Sequence, residues 1–274
     1  MGRNAVESAQ TYLDRWGSYL MQIWFNDGLV DAALAGVAID GWPDGEGIFE
    51  TIKTQGGEIY ELGRHMRRAL DAANQKAISL PSEDLVRSAI VELLAVEPHE
   101  IGRLRLLFSL DRFVAVHQKY EEISKPARLT VIADPSEVEG ISIKTFPYQH
   151  RLDLLARAQS QGFDEIICIN TSNEVTEGAV SNFIFRIDGK WVTSPLTSGV
   201  LPGVQRGIVI ERCGVGVRLI SRNDLARADA AFVISSLKIA LSVSEIDGLP
   251  MKIDEDCAGL EADIRAKTLK HSVG

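Results

Sequence analysis

Along the first third of the chain, apolar and polar positions alternate in the short register of strands and then change to the longer register of helices. From Met21, "MQIWFNDGLVDAALAGVAID" reads as an apolar strand, an Asn-Asp-Gly turn and a second strand. "GIFETIKTQGGEIYEL" repeats the form, with Gly56-Gly57 as the turn. In the next stretch Leu62, Met66, Ala69, Leu70 and Ala73 fall at helical spacing, which predicts a helix over "RHMRRALDAANQKA". A second helix, "SEDLVRSAIVELLA", opens on Ser82 as its cap. The strands "RLRLLFSL" and "ARLTVIADP" complete a smaller α+β lobe over residues 21–134.

The polar stretch "DPSEVEG" reads as a connection, with the linker at 135–140. A larger lobe follows over 141–274. It holds the strand "ISIKTFPY", a helix over "RLDLLARAQSQG", the strand "EIICIN" and the hairpin "FIFRIDGKWVTS", which turns at Asp188-Gly189. "LPGVQRGIVIERCG" is a helix bounded by Gly203 and Gly214, and "AAFVISSLKIALSVSEIDG" supplies two more strands. The fold class is therefore α+β in two lobes, without internal repeats. Residues 1–20 lack the basic start, apolar middle and cleavage site of a secretory signal and read as a short helical extension.

Composition narrows the function. Of 274 residues 45% are apolar and 24% charged, and no window approaches the run of about 18 apolar residues that a membrane span needs. The net charge is −9, and basic residues are dispersed apart from "GRHMRR", so neither nucleic acid nor an anionic membrane is an expected partner. A small molecule is. The cysteines, Cys168, Cys213 and Cys257, are odd in number and far apart, which speaks for a reduced, cytoplasmic setting. The five histidines form no HxH or HxxxH pair, so no metal site is expected.

Three features carry candidate chemistry. In "EVTEGAVSNFIF", Glu177 stands among small residues just before an apolar strand, where it can face a ligand lying over the sheet or simply face water. In "TSGVLPGVQRGIVIE", a turn opens a helix near Val204, and a helix N-terminus suits a phosphate, although most such helices bind nothing. His65 and Arg68 share one helical face, where an arginine fork suits phosphate oxygens and a solvated surface is the plainer reading.

Singly these signals are weak, but their order is specific. The succession "GEGIFETI", "HMRR", "TEGAVSNFIF", "SPLTSGVLPGVQRG" and "FVISSLKIALSVSEIDG" resembles the class IV fold of pyridoxal-phosphate enzymes. That group holds branched-chain aminotransferases, D-amino-acid aminotransferases and 4-amino-4-deoxychorismate lyases. The resemblance implies a two-lobe fold with the cofactor between the lobes, pyridoxal 5'-phosphate as cofactor, a small amino substrate and a homodimer. It implies Glu177 as the acid facing the pyridine nitrogen and Arg68 as a phosphate ligand. The backbone N–H groups of Val204 and Gln205 would meet the same phosphate, with a hydroxyl from Ser235 or Ser236.

The family also needs a Schiff-base lysine, and here the sequence departs from its pattern. The only lysine between 126 and 189 is Lys144. Counting back from "GFDE" puts Lys144 on the catalytic position; matching forward from "LTVIADP" instead makes "ISIKTFPY" the preceding strand and leaves the lysine missing. "AIDGWPDGEGIFETI" is shorter than the family's usual stretch and lacks its arginine. Lys238 falls where lyase-like members often carry an arginine for a substrate carboxylate. "VISSLKIALSVSEIDG" looks closer to the lyases, which form 4-aminobenzoate and pyruvate in folate synthesis. A branched-chain or D-amino-acid transaminase is the alternative, and a non-catalytic relative lacking the lysine is a third reading.

Overall fold

The structure, a computed structural model, describes residues 21–38, 40–134 and 141–271. The expected N-terminal extension and the linker at 135–140 lie outside the described residues. In chain order the strands are β1 (Gln22–Phe25), β2 (Gly28–Asp31), β3 (Gly47–Gln55), β4 (Glu58–Tyr60), β5 (Ile101–Phe108), β6 (Phe113–Lys119), β7 (Ala127–Ala133) and β8 (Thr145–Phe146). They continue as β9 (Glu165–Ile169), β10 (Asn182–Ile187), β11 (Lys190–Thr193), β12 (Gly216–Val217), β13 (Ala228–Ile234), β14 (Leu241–Ile246), β15 (Leu249–Pro250) and β16 (Lys270–His271). The longer helices are Leu62–Lys76, Glu83–Val96, Gln149–Ser160, Val204–Cys213 and Glu255–Lys267.

Two sheets result, the first antiparallel throughout and the second mixed, with parallel pairs β11-β12, β14-β7 and β7-β9. The first runs β16-β4-β3-β5-β6-β1-β2 with β8 added on β3, and the second runs β12-β11-β10-β13-β14-β7-β9 with β15 added on β14. Period-two alternation buries both faces of each. Ile48 and Ile52 of β3 pack with Ala69, Ile90 and Leu93 under the two helices that follow, while Phe49 faces the opposite cluster with Ile23, Leu107 and Phe146. In β10, Phe183, Phe185 and Ile187 enter one core and Ile184 the other, beside Val209 and Ile264 of the covering helices. Each such side chain contributes roughly 1.5–3 kcal/mol by leaving water.

Local signals act as the sequence predicts. The Ser82 side chain accepts from Leu85 N at 3.2 Å, and Gly214 ends its helix at φ 72°. Gly56-Gly57 and Asp188-Gly189 have positive φ at both central turn positions, as two-residue hairpins require. The sheets nevertheless divide the chain differently from the boundary drawn at 134. β7 pairs in parallel with β9 and β14 of the second sheet, whereas β8 and the C-terminal β16 pair with β3 and β4 of the first. A strand joins whichever edge completes its hydrogen bonds, not the lobe of its neighbours in sequence. The expected strand "ISIKTFPY" shrinks to Thr145–Phe146, preceded by Lys144, whose carbonyl accepts from Phe49 N at 3.0 Å.

Candidate active site

Of the residues singled out in the sequence, Lys144, Arg68, Glu177, Val204, Gln205, Ser235, Ser236 and Lys238 line one cavity of about 300 Å³ between the two sheets, and His65 stands behind it. That volume is at the lower end of the range for small-molecule sites, roughly 300–1,000 Å³.

Glu177 reaches it because its loop doubles back over β9. Cys168 N donates to Glu177 O at 3.0 Å and Gly178 N to Ser181 O at 2.7 Å. The buried Glu165 carboxylate then gathers the loop, accepting from Ala179 N at 3.0 Å and from Ser181 Oγ at 2.9 Å. Gly178 is closely enclosed, since a Cβ there would lie 3.0 Å from the Glu165 carboxyl carbon and from the Phe183 ring. The Glu177 carboxylate is 7% exposed and accepts from Arg151 Nη2 at 3.0 Å, Leu201 N at 2.9 Å and Asn182 Nδ2 at 3.2 Å. Burial pushes its carboxyl above the ordinary value, and Arg151 is the strongest of the groups pulling it back.

At the other end Arg68 holds Glu50 with both faces of its fork, Nε to Oε1 at 2.8 Å and Nη2 to Oε2, and its Nη1 donates to Pro202 O at 3.3 Å. His65 is not on a solvated helix face: it is 1% exposed, with Nδ1 2.6 Å from Glu50 Oε2 and Nε2 3.1 Å from Ser236 Oγ. Burial would raise the Glu50 carboxyl, but Arg68 and His65 more than offset it and hold it at about 2. Gly203 opens the facing helix with extended backbone and no side-chain cap, so the next N–H groups, those of Val204 and Gln205, have no partner within the helix. A Cβ on Gly203 would meet Asn182 Oδ1 at 1.9 Å. The Gln205 side chain turns away, donating to Thr268 Oγ1 at 2.9 Å. Of the two serines, Ser235 accepts from Lys238 N at 3.2 Å and holds its turn; Ser236 joins the His65 chain.

Between these ends lies the Lys144 amine, 4.4 Å from the Phe49 ring centre and 4.7 Å from that of Tyr148. Burial first, and then the Arg68 charge, lower it to about 7, against the pull of Glu50 and Glu177. An amine so placed is about half in its neutral, nucleophilic form near pH 7. The remaining wall is cationic. Lys238 Nζ reaches Ser181 Oγ at 3.3 Å, and Arg103 and Arg105 enter from β5. Arg105 lies with its guanidinium 4.0 Å from the Trp42 ring centre, bonds Asp40 O at 2.8 Å, and leaves Nε without a partner, as does Arg103. Burial and the neighbouring Arg103 lower Arg105 to about 9.

Sequence reasoning missed Arg151, Asn182, Tyr148, Glu50, Glu165 and the Arg103/Arg105 pair. For the last a signal existed: in "RLRLLF" two arginines stand two apart in an apolar strand and so share a face. No group of His, Cys, Asp or Glu among the described residues is arranged to hold a metal ion, and no helix among them is long and apolar enough to cross a membrane.

Residues 47–246 match the family model described as amino-transferase class IV. The chain is 25% identical over 253 residues to D-alanine aminotransferase of Bacillus licheniformis, covering 83% of this chain and 89% of that protein. It is 24% identical over 201 residues to a Schizosaccharomyces pombe protein provisionally named aminodeoxychorismate lyase, covering 70% and 86%. Among solved structures, a hypothetical aminotransferase from Mycobacterium tuberculosis in its PLP-bound form superposes with TM-score 0.76 at 18% identity, covering 90% of this chain and 99% of that one. The family match spans most of the chain, and the fold agrees with it: this protein belongs to the amino-transferase class IV family.

Proposed function

We propose that this chain is a pyridoxal-phosphate enzyme that acts as a 4-amino-4-deoxychorismate lyase, with Lys144 as the lysine that holds the cofactor. The observation that carries this reading is the meeting of Lys144, Glu177 and Arg68 around one cavity, with the helix opening at Val204 beside Arg68. The donor set fits the cofactor at each of its ends. Glu177 suits the ring nitrogen, Lys144 suits the aldehyde, and Arg68, the Val204 and Gln205 N–H groups and Ser236 suit the phosphate. When bound, the cofactor ring draws electrons from the carbon that bears the substrate amine. Glu177 keeps the ring nitrogen protonated, and Lys144, its amine lowered to about 7, moves the proton at that carbon.

The cationic wall favours the lyase reading. Products carrying one carboxyl group each, 4-aminobenzoate and pyruvate, come from a substrate carrying two. Lys238, Arg103 and Arg105 line the same cavity and supply positive charge there, and Arg103 and Arg105 keep a buried N–H unpaired. A transaminase of branched-chain or D-amino acids is the second reading, favoured by the similarity to D-alanine aminotransferase over 83% of the chain. The place of Lys144 in the cavity speaks against a non-catalytic relative. The same reading carries a cytoplasmic homodimer.

The two activities separate by product. Release of pyruvate from 4-amino-4-deoxychorismate with no 2-oxo acid present, followed by coupled lactate dehydrogenase, is the expected result. Turnover that appears only when a 2-oxo acid is added would replace the lyase with the transaminase.

A further inference from the structure

Ser236 and His65 share one hydrogen bond, and one bond holds one proton. His65 Nε2 stands 3.1 Å from Ser236 Oγ while its Nδ1 stands 2.6 Å from Glu50 Oε2. Glu50, held at about 2, is ionised at any ordinary pH and can only accept. The hydrogen on Nδ1 is thereby assigned. A neutral His65 then offers Nε2 as an acceptor, and Ser236 must give its single hydroxyl hydrogen to the ring.

In that state Ser236 presents only lone pairs to the cavity, the wrong polarity for an anion. With both ring nitrogens protonated the chain reverses: Nε2–H donates to Ser236 Oγ, and the hydroxyl hydrogen is released toward the cavity. We propose that anion binding in this cavity is coupled to protonation of His65, one proton entering from solvent for each phosphate group bound, with Ser236 turned from acceptor to donor. The proposal rests on the reading that the phosphate lies beside Arg68 and the Val204 helix end.

The charges acting on His65 fit a two-state element. Burial, Arg68 on its own helix and Lys144 on the segment before β8 disfavour the imidazolium, while Glu50 on β3 favours it. Their sum keeps His65 below its ordinary range and neutral at pH 7 in the protein alone. A phosphate dianion at Ser236 adds a second negative partner to Glu50 and tips the balance.

Inorganic phosphate is the probe, because it forms no Schiff base with Lys144. Calorimetric titration at pH 8, in buffers of different ionisation enthalpy, counts the protons taken up, and the ¹⁵N shifts of His65 report its state directly. The expected result is uptake near one proton per phosphate, with both His65 nitrogens moving to imidazolium values. Ser236→Ala should bind phosphate roughly tenfold more weakly and lose the uptake, and Ser236→Thr, which keeps the hydroxyl, should retain it. Phosphate binding with His65 still neutral would overturn this coupling alone. No phosphate binding at all would overturn it together with the placing of the phosphate. Uptake retained in Ser236→Ala with His65 neutral would place the proton on the anion or on Lys144 and also overturn the proposal.

Discussion

Arg151 donates to Glu177 Oε1 at 3.0 Å, so the carboxylate expected to face the cofactor ring already bears a cation from the chain itself. Burial drives the Glu177 carboxyl up and Arg151 is the main counterweight, which makes the arginine a control on when Glu177 ionises. Arg151→Met should raise that pKa, and since the ionised form is the working one, the acid limb of the pH profile should move to higher pH by ~1 unit or more. A profile measured for both proteins checks this, and superimposable acid limbs would remove Arg151 from the site's electrostatics.

Glu177→Gln preserves shape and removes charge. A neutral amide cannot keep the ring nitrogen protonated, so turnover should fall on the order of a hundredfold, about 3 kcal/mol of transition-state stabilisation. Steady-state kinetics at saturating cofactor supply the test. Unchanged turnover would take Glu177 out of the mechanism.

Arg68→Ala should weaken cofactor retention more than it slows sites that remain occupied. It deletes one charge-assisted contact, a loss of roughly 1.5–3 kcal/mol. It also strips Glu50 of the cation that grips both its oxygens. Equilibrium titration with pyridoxal phosphate reads the affinity; parity with the parent protein would return Arg68 to a purely structural role with Glu50.

Lys144 makes two linked predictions. Borohydride reduction of the protein loaded with cofactor should leave the pyridoxyl mass on the peptide containing Lys144. Because the amine is lowered to about 7, its neutral form grows as pH rises and is nearly complete above pH 8, whereas an ordinary lysine near 10.4 would still be charged there. Stopped-flow capture of pyridoxal phosphate should therefore level off near pH 8. A label on any other peptide, or a rate still climbing at pH 10, would leave the lysine-loss reading standing. The depressed value has a matching stability consequence. Between about 7 and 10.4 the unfolded chain binds the additional proton, so the Lys144 contribution to stability rises with pH across that window.

Much of this protein is legible in its sequence, because the relevant forces act over a few residues. Short apolar runs next to turn residues mark β3 and β10, Ser82 and the glycines at 203 and 214 determine where helices begin and end, and Asp188-Gly189 determines a hairpin. The helix Glu255–Lys267 escaped notice because its inward face is thin, with only Cys257 and Ile264 buried. Glu177 and Arg68 stand out locally, the family resemblance implies their roles, and the structure adds what each of them touches.

Only the tertiary structure decided those contacts. A buried charge needs a partner, and here the partners are remote in the chain: Glu50 and Arg68 are 18 residues apart, Arg151 and Glu177 are 26 apart, and His65 and Ser236 are 171 apart. Nothing local in "GIFETI" or "RLDLLARAQ" tells a buried carboxylate or arginine from a solvated one. The same holds for β7 and β16, each of which crosses to the sheet whose edge can complete its ladder. Propensity, capping and turn chemistry are properties of short segments. The pairing of charges and of sheet edges is a property of the closed fold, because desolvation becomes costly only once the two sheets have come together and water has gone.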